Sequence, residues 1–469
     1  MVDNHDIGLM AHLMRRAGFG APREELERRA AKGYEATVEE LIHAEDSAPA
    51  DEYTLLRYQP AALLPGGMPP MGNVNWMFYM VNTQRPLEEK MALFWHHVFA
   101  TGNSKVDNYD QLLAQIAMFR QCGMGNYRDL LVALAKDPAM IYWLDNNENH
   151  KDAVNENWGR ELLELFSMGQ GNYTEKDVRE ASRAFTGWTF SVKIPRLPYG
   201  RFPWEFEYVA EDHDDGDKEF LGHTGNFNGE DIIDIVVQQP ACGHFIARHL
   251  YNFFVADEPQ VPSWKITPPR DEAAVDALAN TFQESGYDMK AVLTTLFTSD
   301  FFKEAYYTKV KSPAELVVGT LRLVGGAEIP RPDYGREIAL QPTYMGQDLL
   351  NPPSVEGWHT GKEWINSGSL MSRINFVADM VGNTDLPGVQ DLVGRLRAKG
   401  SLDPEALVDS CLDLMGPLQV GTDTRQELLE QAREGGPLTW DSADEVEASV
   451  ARIGEMLQLI VAMREYQFN

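Results

Sequence analysis

Residues 312–315 read Ser-Pro-Ala-Glu. A hydroxyl N-cap, a proline at the first helical position and a carboxylate at the third together specify a helix start, because each fixes a dihedral or answers an unpaired backbone amide. The same grammar recurs in both directions along the chain. Thr174 to Asp177, Asn126 to Asp129, Thr424 to Glu427 and Ser442 to Glu445 repeat the cap with an acidic partner, and Asp403-Pro404 joins a cap to a proline. Pro22 and Gly33 bracket a short helix by the proline-first, glycine-last asymmetry. Apolar residues recur at three- and four-residue steps, as in Leu130, Leu131, Leu134 and Val178, Ala181, Phe185. The expected fold class is therefore all-α. A multi-helix globular domain is expected over residues 1–381, a linker at 382–388, and a small helical C-terminal subdomain over 389–469.

Two stretches break the helical pattern. Residues 187–230 collect Trp188, Tyr199, Phe202, Trp204, Phe206 and Tyr208, and Phe206-Glu207-Tyr208 and Glu219-Phe220-Leu221 flank Asp212-His213-Asp214-Asp215-Gly216. This reads as a short β-hairpin or turn-rich excursion, of the kind that often serves as a functional loop. Residues 326–369 are irregular too, with Asn351-Pro352-Pro353, Trp358 and Trp364.

Bulk properties narrow the partners. The 469 residues are 43% hydrophobic and 24% charged, ordinary values for a globular protein. Acidic residues outnumber basic ones 71 to 41, a net charge of −30 that repels phosphate backbones and anionic lipid. Nucleic acid and membrane surfaces are thus not expected as partners. Cys122, Cys242 and Cys411 form no Cys-x-x-Cys pair and supply neither a disulfide framework nor a thiolate zinc site. His12, Arg15 and Arg16 interrupt the first twenty residues, and no run approaches the ~18 apolar residues of a membrane span, so a cytoplasmic location is expected. There is no Gly-x-x-x-x-Gly-Lys-Ser/Thr loop, no Gly-x-Ser-x-Gly elbow and no His-Glu-x-x-His helix.

Several blocks, in order, carry a family resemblance. They are His12-Leu13-Met14-Arg15-Arg16-Ala17-Gly18-Phe19-Gly20; Glu89 to His97 with Phe99-Ala100-Thr101; Asn155 to Phe166 continuing through Gly171-Asn172-Tyr173-Thr174-Glu175 to Thr186-Gly187-Trp188; His213-Asp214 and Gly222; Lys311-Ser312-Pro313; and Asn351-Pro352-Pro353 to Gly357-Trp358 and Trp364-Ile365-Asn366. Over roughly residues 8–376 the chain resembles the bacterial domain-of-unknown-function family 1800. The resemblance implies a fold neighbourhood rather than a chemistry. It also implies relatives that are often exported and often encoded beside sulfatase-like proteins, which makes a sulfatase-like neighbour a candidate partner.

The candidate site is assembled from two helices. In the helix opening at Pro86, Leu87, Met91, Phe94 and Val98 share one face, Glu89 and His96 lie opposite, and His97 is on the flank. In the helix from Glu156 to Met168, Trp158, Leu162, Leu165 and Phe166 form the apolar face, with Glu156, Arg160, Glu161 and Glu164 on the other. The four-residue pairs Glu156–Arg160 and Arg160–Glu164 are explained by salt bridges on an exposed helix, each contributing only ~0.3–0.5 kcal/mol. The competing reading is a buried His/Glu site. His96, His97, Glu156, Arg160, Glu161 and Glu164 are then its catalytic candidates, and His96, His97, Glu161 and His213 its ligands for a divalent metal, with iron, zinc or manganese expected from the donor set. Asp212, Asp214, Asp215 and Asp217 around Gly216 suit calcium in type, though not in EF-hand spacing.

Two further readings stand beside the enzyme. One is a non-catalytic module that binds a carbohydrate or a partner protein through aromatic loops around 188–208 and 358–364. The other is a glycosidase-type carboxylate pair drawn from Glu156 and Glu161 or Glu164. An unidentified small molecule or a carbohydrate is the expected ligand. His244 and His249, five residues apart, read as structural.

Overall fold

The computed structural model describes residues 4–63, 70–192 and 202–469. Within them are twenty-five α-helices and two antiparallel two-stranded hairpins, so the protein is mainly all-α. No described helix is long and apolar enough to cross a membrane.

Most of the expected helix starts are realised. Ser312 and Thr174 form full capping boxes with Glu315 and Asp177, and Asn126, Asp403 and Ser442 each accept a backbone N–H of the first turn. Pro22 and Gly33 flank the Arg23–Lys32 helix, where Gly33 has φ +103°. Thr424 is different. The helix already begins at Thr422 behind Gly421, and the Thr424 hydroxyl donates to Glu465 at 3.1 Å.

The Pro86–Val98 helix is the axis of the core. Met91, Phe94 and Trp95 are sealed, but so are Glu89, Lys90 and His96 on the remaining faces. The expected polar face of this helix is therefore buried as well, because the Tyr109–Cys122 helix covers it. Glu89, 1% exposed, pairs with Arg120 at 2.5 Å, and the Trp95 indole donates to the Gly123 carbonyl at 2.7 Å. Lys90 donates to the Gly18 carbonyl at 3.0 Å and forms a short ion pair with Glu315. The predicted Glu156–Met168 helix is shorter, Asn157–Glu164. It unwinds where Met168 and Gly169 both donate to the Leu163 carbonyl and Gly169 takes φ +75°, an ending that favours glycine.

The excursion contains two hairpins rather than one. Trp188–Val192 pairs with Trp204–Tyr208, and Lys218–Phe220 pairs with His223–Gly225. Residues 206–208 and 219–221 thus pair elsewhere and not with each other. The first hairpin is chosen by aromatic packing, with Phe190 stacked on Trp204 at 4.7 Å and Trp188 against Phe206 at 5.3 Å. Tyr199 lies outside the described residues.

The expected linker is a brief break between the Ser367–Gly382 and Pro387–Ala398 helices. Residues beyond it are tied back to the main body. Asn469 donates to the Lys309 carbonyl at 2.8 Å, and Arg373 donates to the Gln467 side chain at 2.9 Å.

Removing one partner of a buried ion pair strands the other charge. Arg120→Met is expected to destabilise the fold by about 3–5 kcal/mol, and the double change Glu89→Leu/Arg120→Met to recover most of that loss. Urea unfolding of the three proteins measures both.

Candidate active site

The Asn157–Glu164 helix buries Trp158 and Leu162 and turns its carboxylates toward the surface. Two of its polar residues hold the helix in place. The Arg160 guanidinium grips both oxygens of Glu175, at 3.0 and 2.7 Å, and reaches Glu156 at 3.4 Å. Arg160 and Glu156 thus clamp this helix to the start of the next. Glu164 accepts the Tyr173 hydroxyl at 3.0 Å and a short bond from Gln170.

Glu161 differs. It is half-buried, and among the described residues its carboxylate has no hydrogen-bond or ion-pair partner. Burial, and then the negative charges of Glu164 and Glu356, push its carboxyl up to about 7, against the opposing pull of Arg160. A carboxyl tuned in this way holds a proton near neutral pH and can give it up.

Glu164 and Glu356 face a cleft of about 440 Å³ between this helix, the Pro240–Phe254 helix and the 261–269 segment, while Glu161, one turn before Glu164 on the same helix, does not itself line it. Glu164 and Glu356 line one side, and Phe245, Trp264, His244 and Lys265 line the other. The far wall is rigid. Arg248 is bound to Glu258 at 2.7 Å and lies over the Trp264 ring at 4.6 Å. His249 sits beneath, 4.6 Å from both Phe245 and Trp264, and burial lowers its pKa well below the usual value.

Glu356 reaches the cleft because its loop docks on His97. The Trp358 backbone amide donates to His97 Nδ1 at 3.2 Å, and the Trp358 indole lies parallel to the imidazole at 6.2 Å. Gly357, at φ +84°, permits this approach: a Cβ there would stand 2.3 Å from the His97 carbonyl oxygen. Burial, followed by Lys309, lowers His97 to about 4. His97 is thus neutral and carries its proton on Nε2.

The other predicted residues are elsewhere. His96 is fully buried between Trp76 and Trp358, at ring distances of 5.3 and 5.4 Å, with neither ring nitrogen hydrogen-bonded. Burial lowers it to about 3. His213 is also buried and donates from Nδ1 to the Thr186 carbonyl at 2.9 Å, which anchors the hairpin region. Among the described residues no three His, Cys, Asp or Glu side chains gather closely enough to hold a metal ion. His96, His97, Glu161 and His213 therefore do not converge as the four ligands expected of them. In the 212–217 loop, Asp212 is taken by His150 and Asp214 by Arg183 at 2.7 Å, so these two carboxylates point to different side chains and not to a common centre. Trp358 and Trp364, expected to offer stacking faces, are buried in the core.

Glu356, Phe245 and Trp264 complete the cleft without having stood out in the sequence as members of one site. The signal that was available for Glu356 was the adjoining Gly357-Trp358, a glycine placed where a loop must approach a helix closely.

A helical protein with an acidic, half-buried cleft is the class that fold and site define. The chain belongs to the family described as protein of unknown function DUF1800, whose model matches residues 12–468. That match continues through the C-terminal helices. No curated protein and no solved structure matches the chain.

The raised Glu161 carboxyl has a consequence for stability. A folded-state value of about 7 against an ordinary 4.5 means that the folded protein holds the proton more tightly. The contribution of Glu161 is fully present below pH about 4.5 and is lost as pH rises through about 7. Glu161→Gln is therefore expected to gain stability relative to the parent over that window, reaching ~1–3 kcal/mol at pH 8. Urea midpoints of both proteins at several pH values give the difference directly.

Proposed function

We propose that the protein is an enzyme that binds a small hydroxyl- or amine-bearing molecule in this cleft and moves a proton to or from it through Glu161. The observation that carries the reading is a half-buried carboxyl without a partner, tuned to about 7, beside a cleft large enough for a small ligand. Burial, and then the negative charge of Glu164 and Glu356, keeps the Glu161 proton available, and that charge favours ligands that are neutral or cationic. Phe245 and Trp264 provide apolar surface for the ligand's carbon skeleton, a composition that also suits a sugar ring. Glu156 and Arg160 act as positioning residues by fixing the helix, and His97 does so by holding the loop that carries Glu356.

The test is a consumption assay against panels of small polyols, amines and glycosides, run with the parent protein and Glu161→Gln in parallel. A substrate turned over by the parent is expected to lose at least about 100-fold in kcat with the variant, the usual scale of general acid–base catalysis. The limb of the parent pH profile near pH 7 should vanish with it. Equal turnover by the two proteins would overturn the proposal.

A further inference from the structure

A separate, smaller cavity of about 20 Å³ is lined by His97, Lys309, Ser312, Glu315, Gln347 and Thr360 with apolar neighbours. Lys309 is only 4% exposed. Among the described residues its ammonium makes no hydrogen bond, and its nearest carboxylate oxygen, on Asp257, is 3.6 Å away. Asp257 Oδ1 is itself buried without a hydrogen-bond partner among the same residues, and the Phe253 ring lies 5.7 Å from the ammonium, so Lys309 is ion-paired but its ammonium N–H groups are not hydrogen-bonded, which is costly for a buried charge.

The lining is rich in donors, and its side-chain acceptors already receive hydrogen bonds. Glu315 receives Lys90 on one oxygen and the Ser312 amide on the other at 2.7 Å. The Gln347 carbonyl oxygen accepts the Ala314 amide at 2.8 Å, which leaves its NH2 free. Ser312 Oγ accepts the Glu315 amide and Thr360 Oγ1 accepts Gln260, each at 3.3 Å, so both hydroxyl hydrogens are spare. His97 accepts the Trp358 amide on Nδ1 and so offers Nε2–H. The Pro313–Val324 helix begins here too, adding the partial positive charge of its N-terminus.

The surrounding field has the same sign. Arg16, Lys90, Lys309, Lys311 and Arg373 are all within electrostatic range of the single carboxylate Glu315. Asp257 faces Lys309 and Arg16, and the Asn469 main-chain oxygen accepts Arg16 at 3.0 Å. A water molecule needs acceptors for its two hydrogens, and here it would have to share oxygens that already receive a hydrogen bond. The volume, just above the ~10–15 Å³ that admits one water, excludes polyatomic anions such as sulfate.

We infer that this cavity is a binding site for one halide ion, chloride in ordinary solutions, held by Lys309 with hydrogen bonds from its donor-rich walls. The site is separate from the Glu161 cleft, and neither proposal depends on the other.

Bromide identifies the occupant. Crystals of the full chain grown or soaked in sodium bromide should show an anomalous peak in this cavity. Thermal unfolding at constant ionic strength should rise by about 3 °C in bromide or chloride relative to gluconate, at a free halide concentration a hundred times the dissociation constant. Lys309→Met should abolish that rise, and Glu161→Gln should keep it. A cavity without anomalous signal, or a parent protein with the same Tm in bromide and gluconate, would overturn the inference. Should Lys309→Met fail to fold, the bromide map of the parent decides alone.

Discussion

The fold depends on a helix with no face left for water. Pro86–Val98 runs through the core, and its sequence places Glu89, Lys90 and His96 among Met91, Phe94 and Trp95. Burying an ion costs several kcal/mol unless a partner and good hydrogen bonds offset it. Each buried polar residue therefore dictates a contact. Glu89 draws in Arg120 from the neighbouring helix. Lys90 draws in Glu315, whose other oxygen closes the capping box of the Pro313–Val324 helix, and it also holds the Gly18 carbonyl of the N-terminal segment. Three distant parts of the chain are thus fixed around one ammonium. His96 meets the same constraint differently, since burial keeps it neutral and it is packed edge-on against two tryptophans.

The amphipathic reading of that helix failed for a physical reason. Periodicity identifies a face that must be buried, and it is silent on whether the opposite face meets solvent or another helix. Capping signals are local, so Ser312, Thr174 and Asp403 were legible without tertiary information. The strand pairing around 188–225 was not. Phe206 and Phe220 had plausible partners in sequence, but the stacking of Phe190 on Trp204 decided the register. Glu161 was legible as a candidate from its helix position. Its carboxyl is raised chiefly by burial, then by Glu164 and to a lesser extent by Glu356, and neither the burial nor Glu356, nearly two hundred residues away, is written in a local pattern.

Net charge proves a poor guide to local electrostatics in this molecule. The chain carries −30 overall, and its cleft wall repeats that sign through Glu164 and Glu356. Around Glu315, buried lysines and arginines outnumber the carboxylates they face. Low effective dielectric makes each of these arrangements stronger than its equivalent at the surface. The acidic side raises a carboxyl until it keeps its proton, and the basic side gathers cations that are held largely by main-chain carbonyls. Both arise from burial acting on groups of one sign.

His97 connects the two environments. Its Nδ1 is committed to the Trp358 amide, and that bond, with the close approach allowed at Gly357, sets the position of the loop bearing Glu356. Its Nε2–H is the end left over, and the ring also lines the basic cavity with Lys309. Protonating the ring would cost the acceptor role of Nδ1 and place a second cation beside Lys309, which is why burial and that lysine together hold it neutral down to about 4. A single imidazole tautomer thereby fixes a carboxylate on the acidic side and presents a donor on the basic one. The sequence block that contains His97 is needed for the geometry of the cleft even though the imidazole itself is not among the side chains that line it.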